Sequence, residues 1–200
     1  MARLVAALIA LVACAGLAIQ FQATLASGYS VGATLWILVR FFTIITNIGV
    51  AVTMSLLAMG KRPSPFWLGG ITLAILLVGV VYMTLLRGLL QLSGGALLAD
   101  TLLHKATPVL VAFWWLAFAE KGRLELRDPL LWAIYPLTYL PYALTRGAAE
   151  GIYAYPFISV ADLGWGGVLT TCALIALAFV IAGLGLVALD RKLGVARAAD

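Results

Sequence analysis

The residues with the greatest potential for chemistry in this sequence are a threonine, a histidine and an aspartate. His104 is the only histidine of the 200 residues, and Asp100 precedes it by four positions. On a helix this spacing brings the two side chains to one face, where a carboxylate can fix the imidazole tautomer and strengthen the ring as a base. Thr43 supplies a hydroxyl for attack on a carbonyl. These residues predict acyl-transfer chemistry; the simpler alternative is a His104 that only bonds a loop at the membrane edge.

Thr43 belongs to a polar stripe on an otherwise apolar segment. At 100° per residue of helix, Arg40, Thr43 and Asn47 project within about 60° of one another. Polar groups at this depth are costly in lipid, so we expect them to face the protein interior or a wet cavity. In acyl transfer, Asn47 or Arg40 would stabilise the developing oxyanion. Alternatively, the Thr43 hydroxyl donates to a backbone carbonyl one turn earlier, or Thr46, a neighbouring hydroxyl, takes the nucleophile role.

A second polar stripe is predicted on the fifth apolar segment. Pro136 and Pro141 interrupt the same stretch, so we expect it to be irregular. Arg87 ends the third apolar segment, and Tyr155 follows the fifth on the same side of the membrane. Stripes that meet at one level predict a shared polar pocket around Thr43 and His104. The stripe itself falls within about 60° on a helical wheel and consists of Tyr135, Tyr139, Tyr142 and Arg146.

The absence of several motifs limits the chemistry of this pocket. One histidine is too few for bis-histidine haem ligation within one chain or for the usual zinc ligand sets, and Cys14 and Cys172 form no CxxC or metal-ligand pattern. The sequence also lacks an HExxH motif and a phosphate-binding loop. We therefore predict neither a metal nor a cofactor.

Three segments, taken in their order along the chain, carry a family pattern. They are Arg40-Phe41-Phe42-Thr43-Ile44-Ile45-Thr46-Asn47, Leu103-His104-Lys105-Ala106-Thr107-Pro108, and Tyr135-Pro136 continuing to Tyr153-Ala154-Tyr155-Pro156-Phe157. From the second apolar segment onward, the chain resembles the androgen-induced membrane proteins and their shorter bacterial relatives. Some eukaryotic members hydrolyse fatty acid esters of hydroxy fatty acids with a threonine nucleophile and a histidine. The resemblance implies a multi-pass fold in which Thr43 and His104 take these roles.

Composition indicates that these residues are positioned by membrane helices. The chain is 64% hydrophobic and 10% charged, with a mean hydropathy of +1.10, whereas soluble domains usually carry roughly a quarter charged residues. Six apolar runs have the length of membrane spans. We predict an all-α bundle of six transmembrane helices, a single polytopic domain over residues 1–200, with spans near 4–25, 37–59, 66–88, 101–119, 129–147 and 166–189.

The first run has a second interpretation, as a signal peptide that ends at Leu11-Val12-Ala13-Cys14. Because hydrophobicity continues to Leu25 and reaches the roughly 20 residues that a span requires, we favour an uncleaved first helix.

Positive charge predicts the orientation of the bundle, since Lys and Arg loops stay in the cytoplasm. Nine basic residues fall on one side and four on the other, which places both termini in the cytoplasm. The net charge of +5 forms no basic face, so we expect no nucleic-acid partner. The nine are Arg3, Lys61, Arg62, Lys121, Arg123, Arg127, Arg191, Lys192 and Arg197, and the four are Arg40, Arg87, Lys105 and Arg146.

Our leading hypothesis is a membrane-embedded hydrolase of lipid esters in the inner membrane of a bacterium, with membrane lipids and a lipid ester as its partners. The alternative is a non-catalytic lipid-binding or small-solute transport protein, in which Arg40, Arg87 and Arg146 hold an anionic head group. A third interpretation is a structural partner of another membrane protein that packs through Ala182-Gly183-Leu184-Gly185.

Overall fold

The regular secondary structure in the computed structural model is entirely helical over the described residues, 1–199. Side chains are described to residue 195, so that of Arg197 lies outside the described part. The chain divides into two compact units, Met1–Glu120 and Lys121–Asp200. The α-helices are α1 (Ala2–Leu25), α2 (Val31–Leu38), α3 (Phe42–Ala58), α4 (Pro65–Val81), α5 (Gly94–Thr101), α6 (Thr107–Phe118), α7 (Asp128–Glu150) and α8 (Val160–Ala199).

Several of these helices are long and apolar enough to cross a membrane, and the all-α prediction is confirmed. Four continuous segments qualify within the described residues, and the bent pair α2–α3 makes five if it counts as one span. The fifth predicted span, α7, is 23 residues long but includes two internal prolines and lacks the sustained apolarity of the others. The four continuous segments are Ala2–Leu25, Pro65–Leu86, Gly94–Phe118 and Val160–Val195.

The second predicted span is not one straight helix. Helices α2 and α3 meet at a bend of 95°, because the last turn of α2 tightens into bonds from Arg40 N–H to Ile37 O and from Phe41 N–H to Leu38 O, and Phe41 is then extended. Arg40 therefore lies in the turn and does not continue the α3 stripe of Thr43 and Asn47. The predicted three-residue stripe was wrong in this respect.

In the first unit, α1 packs against α3, α5 and α6, while α4 packs against α3 and α6. The buried residues of α1 recur every three or four positions and are mostly small, which lets neighbouring helices approach closely. Leu38, Ile44 and Leu103 form a buried apolar cluster at the level of the α2–α3 bend. The buried face of α1 consists of Ala6, Ile9, Ala10, Ala13 and Gly16.

The fourth predicted span begins at Gly94, seven residues before the predicted start, and runs without a break to Phe118. Within it, Leu102–Ala106 forms a π-helical turn between α5 and α6. A second π-helical turn, Tyr82–Leu86, ends the third span. Each π-turn widens the helix by one extra residue, and such turns are frequent at functional sites.

In the second unit, α7 packs against α8. Helix α7 runs through both Pro136 and Pro141, so the irregularity expected there was wrong; membrane helices tolerate proline where neighbouring groups satisfy the freed carbonyls. The Asp190 carboxylate of α8 accepts the backbone N–H groups of Arg123 at 2.8 Å and Leu124 at 2.9 Å, which fixes the segment before α7. Helix α8 has a kink at Gly164, whose φ is 64°.

Candidate active site

Thr43 lies in the first turn of α3, where the chain re-enters a helix after the bend. It is the second residue of this helix, and its side chain is buried together with those of Phe42 and Ile44. The 95° bend therefore places a helix amino terminus inside the protein. This end of a helix carries a partial positive charge, which favours negative charge developing nearby. The sequence prediction of one straight span could not give Thr43 this environment.

His104 lies in the π-turn Leu102–Ala106, which Pro108 and Asn47 help to define. In an α-helix, Leu103 O would accept from the N–H of Thr107, but in the π-turn this N–H donates to Leu102 O. The next donor in π-helical geometry would be residue 108, which is a proline and has no N–H. Leu103 O therefore has neither the α-helical nor the π-helical donor. The Asn47 side chain fills the gap, with its Nδ2 donating to Leu103 O at 3.3 Å. The extra residue of the turn sets the direction in which the imidazole projects.

The structure brings Thr43 and His104 together. The hydroxyl oxygen Oγ1 of Thr43 is 3.2 Å from Nε2 of His104, although 61 residues separate them in the chain. His104 keeps 18% of its side chain exposed, whereas Thr43 is buried. The hydroxyl that contacts the imidazole is therefore that of Thr43, three residues before the competing Thr46.

Asp100 determines which nitrogen of His104 carries the proton. Nδ1 of His104 is 3.2 Å from Oδ1 of the Asp100 carboxylate and 3.2 Å from the Asp100 carbonyl oxygen. Both groups only accept hydrogen bonds, so a neutral ring bonded to them has its proton on Nδ1. Nε2 then presents a lone pair to the Thr43 hydroxyl. This is the arrangement in which a histidine serves as a base towards a hydroxyl.

Two further residues surround the aspartate and the imidazole. The Tyr82 hydroxyl donates to Asp100 Oδ2 at 2.6 Å, and its ring stacks on His104 with the centroids 4.5 Å apart and the planes inclined by 22°. Nζ of Lys105 is 3.6 Å from Asp100 Oδ2 and 5.3 Å from the centroid of the Tyr82 ring. Sequence reasoning missed Tyr82, whose only signal was a lone tyrosine near the end of an apolar run.

Asn47 has a supporting position different from the one expected. Its Nδ2 donates to Thr43 O at 2.9 Å as well as to Leu103 O, so both amide hydrogens are engaged by backbone carbonyls. The expected oxyanion role is therefore wrong for Asn47. The side chain instead joins the backbone of Thr43 to the residue before His104, and it is fully buried.

The predicted arginines have three different environments. Arg40 is buried in the turn between α2 and α3, and Arg87 is exposed just after the π-turn Tyr82–Leu86. Arg146 belongs to the second unit, where its Nε donates to Glu150 Oε1 at 2.7 Å and its Nη1 donates to the Tyr142 hydroxyl at 2.9 Å. Because the Glu150 carboxylate already neutralises the charge of Arg146, the expected role of Arg146 in binding an anionic head group is less favoured.

The remaining predicted residues also lie in the second unit. Tyr135, Tyr139 and Tyr142 are half-buried along α7, and the rings of Tyr139 and Tyr142 have centroids 6.0 Å apart. Tyr155 stacks on Phe157 with a centroid distance of 5.1 Å. In the second unit, Arg146 thus contacts Glu150 and Tyr142, and Tyr139 extends this group through the ring of Tyr142.

One serine has the sequence context of a nucleophile elbow but not its structure. The segment Gly28-Tyr29-Ser30-Val31-Gly32 matches GxSxG, a motif that requires a strand before the serine and a helix after it. Here Ser30 follows helix α1 and caps α2, with its Oγ accepting the Ala33 N–H at 3.2 Å. Its hydroxyl therefore serves helix capping.

The first unit thus contains a hydroxyl, an imidazole with a defined tautomer and a carboxylate, in contact in that order. Within the described residues, no group of three His, Cys, Asp or Glu side chains could hold a metal ion. The arrangement suits proton transfer from a hydroxyl and attack on a carbonyl carbon. Comparison of the chain with protein-family models, with curated proteins and with solved structures finds no match.

Proposed function

We propose that this chain is a membrane-embedded hydrolase of lipid esters, of the kind formed between a fatty acid and a hydroxy fatty acid, in which Thr43 is the nucleophile and His104 the general base. The observation that carries the proposal is the 3.2 Å contact of Thr43 Oγ1 with His104 Nε2, combined with two acceptors at Nδ1. A threonine that only stabilised its own helix would have no need of an oriented imidazole.

The reaction follows the order of the contacts. Thr43 Oγ1 attacks the ester carbonyl carbon while Nε2 of His104 accepts the hydroxyl proton, and the Asp100 carboxylate stabilises the resulting imidazolium. The C–O bond to the alcohol then breaks, and the leaving oxygen takes the proton from Nε2. Water attacks the Thr43 ester by the same route, which releases the acid and restores the hydroxyl.

Charge that develops on the carbonyl oxygen needs stabilisation from groups other than Asn47. The amino-terminal end of α3 supplies a partial positive charge beside Thr43, and Arg40 lies in the turn immediately before this helix. Such pre-oriented charge is worth more in a water-poor site than in water. We assign oxyanion stabilisation to this turn.

The finer architecture is part of the same proposal. We infer six membrane segments, with α2–α3 as one bent span and α7 as another, both termini in the cytoplasm and a location in the inner membrane of a bacterium. The apolar ester would then enter from the outer leaflet, with membrane lipids as its surroundings. The nine-to-four distribution of basic residues supports this orientation.

Hydrolysis of long-chain esters by the purified protein tests the proposal. We expect Thr43→Ala and His104→Ala to lower turnover by roughly 10³-fold or more, because a nucleophile and its base act as a unit. A fluorophosphonate probe should label wild-type protein on Thr43. Thr145→Ala is the matched control, since the Thr145 hydroxyl is exposed in the second unit and donates to Pro141 O at 2.7 Å.

Full turnover in either Thr43→Ala or His104→Ala protein would refute the assignment. A folded wild-type protein that binds lipid but neither hydrolyses esters nor reacts with the probe would favour the non-catalytic alternative.

A further inference from the structure

Tyr82 contacts both Asp100 and His104, through its hydroxyl and its ring respectively. Its side chain is 9% exposed, its hydroxyl bonds a carboxylate at 2.6 Å, and its ring covers one face of the imidazole. A buried tyrosine hydroxyl needs a partner, but any backbone carbonyl would serve. A carboxylate is a much stronger acceptor.

We propose that Tyr82 is a positioning residue for His104, holding the Asp100 carboxylate through its hydroxyl and the imidazole plane through its ring; this inference rests on the proposed hydrolase function. The two oxygens of Asp100 then have separate tasks. Oδ2 is held by Tyr82 at 2.6 Å, and Oδ1 remains for Nδ1 of His104 at 3.2 Å.

Rotation of the carboxylate would undo this division. Without the Tyr82 hydroxyl, Lys105 Nζ at 3.6 Å is the remaining contact of Oδ2, and that lysine side chain is 38% exposed. An exposed lysine is a flexible, strongly hydrated partner that orients a carboxylate less well than a fixed hydroxyl. Asp100 would turn towards Lys105 and leave Nδ1 with the carbonyl oxygen alone.

The ring of Tyr82 restricts the imidazole in a second way. Stacking at 4.5 Å with planes only 22° apart leaves little room for rotation of His104 about its Cβ–Cγ bond. The π-turn Tyr82–Leu86 contributes to this placement, because Arg87 N–H donates to Tyr82 O at 2.8 Å and closes the wide turn. The two π-turns, one bearing Tyr82 and the other His104, therefore present facing rings.

Kinetics and NMR of Tyr82 variants separate positioning from general packing. Tyr82→Phe keeps the ring and removes the hydroxyl, and we expect a turnover number roughly tenfold lower with KM unchanged, the effect of one hydrogen bond to a charged group. Tyr82→Leu also removes the stacking and should lower turnover roughly 100-fold. Tyr29→Phe and Tyr29→Leu are matched controls in the loop after α1, where Tyr29 is exposed.

¹⁵N-histidine labelling reports on the imidazole directly, because His104 is the only histidine in the chain. We expect the Nδ1–H tautomer in wild-type protein, in Tyr82→Phe and in the Tyr29 controls, and a mixture with the Nε2–H tautomer in Tyr82→Leu. Loss of the hydroxyl alone leaves the Asp100 carbonyl oxygen as an acceptor for Nδ1, whereas loss of the stacked ring lets the imidazole turn away from that acceptor.

Two outcomes would overturn the inference: turnover by Tyr82→Phe equal to that of wild type, or a pure Nδ1–H tautomer in Tyr82→Leu. Absence of ester turnover in wild-type protein would overturn the hydrolase proposal instead. The tautomer measurement would then still decide the role of Tyr82, because it requires no substrate.

Discussion

At the scale of single residues, Asp100 is the point on which the contacts of the first unit converge. Its carboxylate contacts His104, Tyr82 and Lys105, and its carbonyl oxygen gives Nδ1 of His104 a second acceptor. The carbonyl remains in any substitution, so the carboxylate can be tested without removing every acceptor from the imidazole.

We expect Asp100→Asn to lower turnover roughly 10²- to 10⁴-fold. An amide can rotate to donate to Nδ1, which places the imidazole proton on Nε2 and leaves no base for Thr43, and an amide also fails to stabilise the imidazolium. Steady-state ester hydrolysis measures the effect. Asp162→Asn is the control, since Asp162 accepts from Ser159 Oγ in the second unit. An increase in KM with an unchanged turnover number would contradict this role.

The residues of the site could be predicted in part from sequence. The helical spacing of Asp100 and His104, and the depth of Thr43 in an apolar run, were sufficient to choose these three. The role of Asn47 could not be predicted from the sequence, because its side chain donates to Leu103 O. This carbonyl lacks a backbone donor only because of the π-turn and Pro108. Tyr82 was missed because a contact between spans has no signature in either one.

At the scale of helices, the π-turn Leu102–Ala106 is positioned by a close approach of α1. A Cβ atom added to Gly16 would lie 2.8 Å from Leu103 Cδ2 and 3.1 Å from Leu102 Cβ. Leu103 is 1% exposed, so its side chain has little room to move away, and Leu102 Cβ moves only with the backbone. Glycine therefore permits contact between α1 and the turn that bears His104.

This contact predicts opposite effects for one substitution at two glycines. We expect Gly16→Ala to lower the free energy of unfolding by about 1 kcal/mol or more through overpacking. Gly32→Ala, where an added Cβ meets nothing within 4 Å, should raise it by up to roughly 1 kcal/mol because alanine favours helix. Thermal unfolding in detergent measures both, and a stabilised Gly16→Ala protein would show that α1 does not press on the turn.

The bend between α2 and α3 shows where sequence patterns fail at this scale. Four of the six predicted runs are continuous helices long and apolar enough to cross a membrane within the described residues, because hydrophobicity and length are what such a span requires. No proline or glycine lies between Leu38 and Phe42 to mark the break. Its cause is tertiary, since Leu38 and Ile44, on either side of the bend, pack with Leu103 in one buried cluster.

At the scale of the whole molecule, the number of crossings is linked to the sides on which the termini lie. Among residues 1–199, four continuous segments are long and apolar enough to span, and the bent pair and α7 would bring the proposed number of crossings to six. An even number places both termini on one side, and loss of either the bent pair or α7 as a crossing separates them. The basic residues at 61–62 and 121–127 lie on the same side of the membrane as both termini only if the bent pair α2–α3 and α7 each cross it.

Cysteine labelling in intact cells tests this arrangement. In a background with Cys14→Ala and Cys172→Ala, we expect a membrane-impermeant maleimide to label Ser27→Cys and Ser93→Cys, both exposed in loops that the proposed orientation places on the outer side. Lys61→Cys, exposed in the loop after α3, should react only after the membrane is permeabilised, as should a cysteine appended to either terminus. Labelling of Lys61→Cys in intact cells would show that α2–α3 enters and leaves on the outer side. Labelling at the carboxyl terminus, with Lys61→Cys still protected, would show that α7 does not cross.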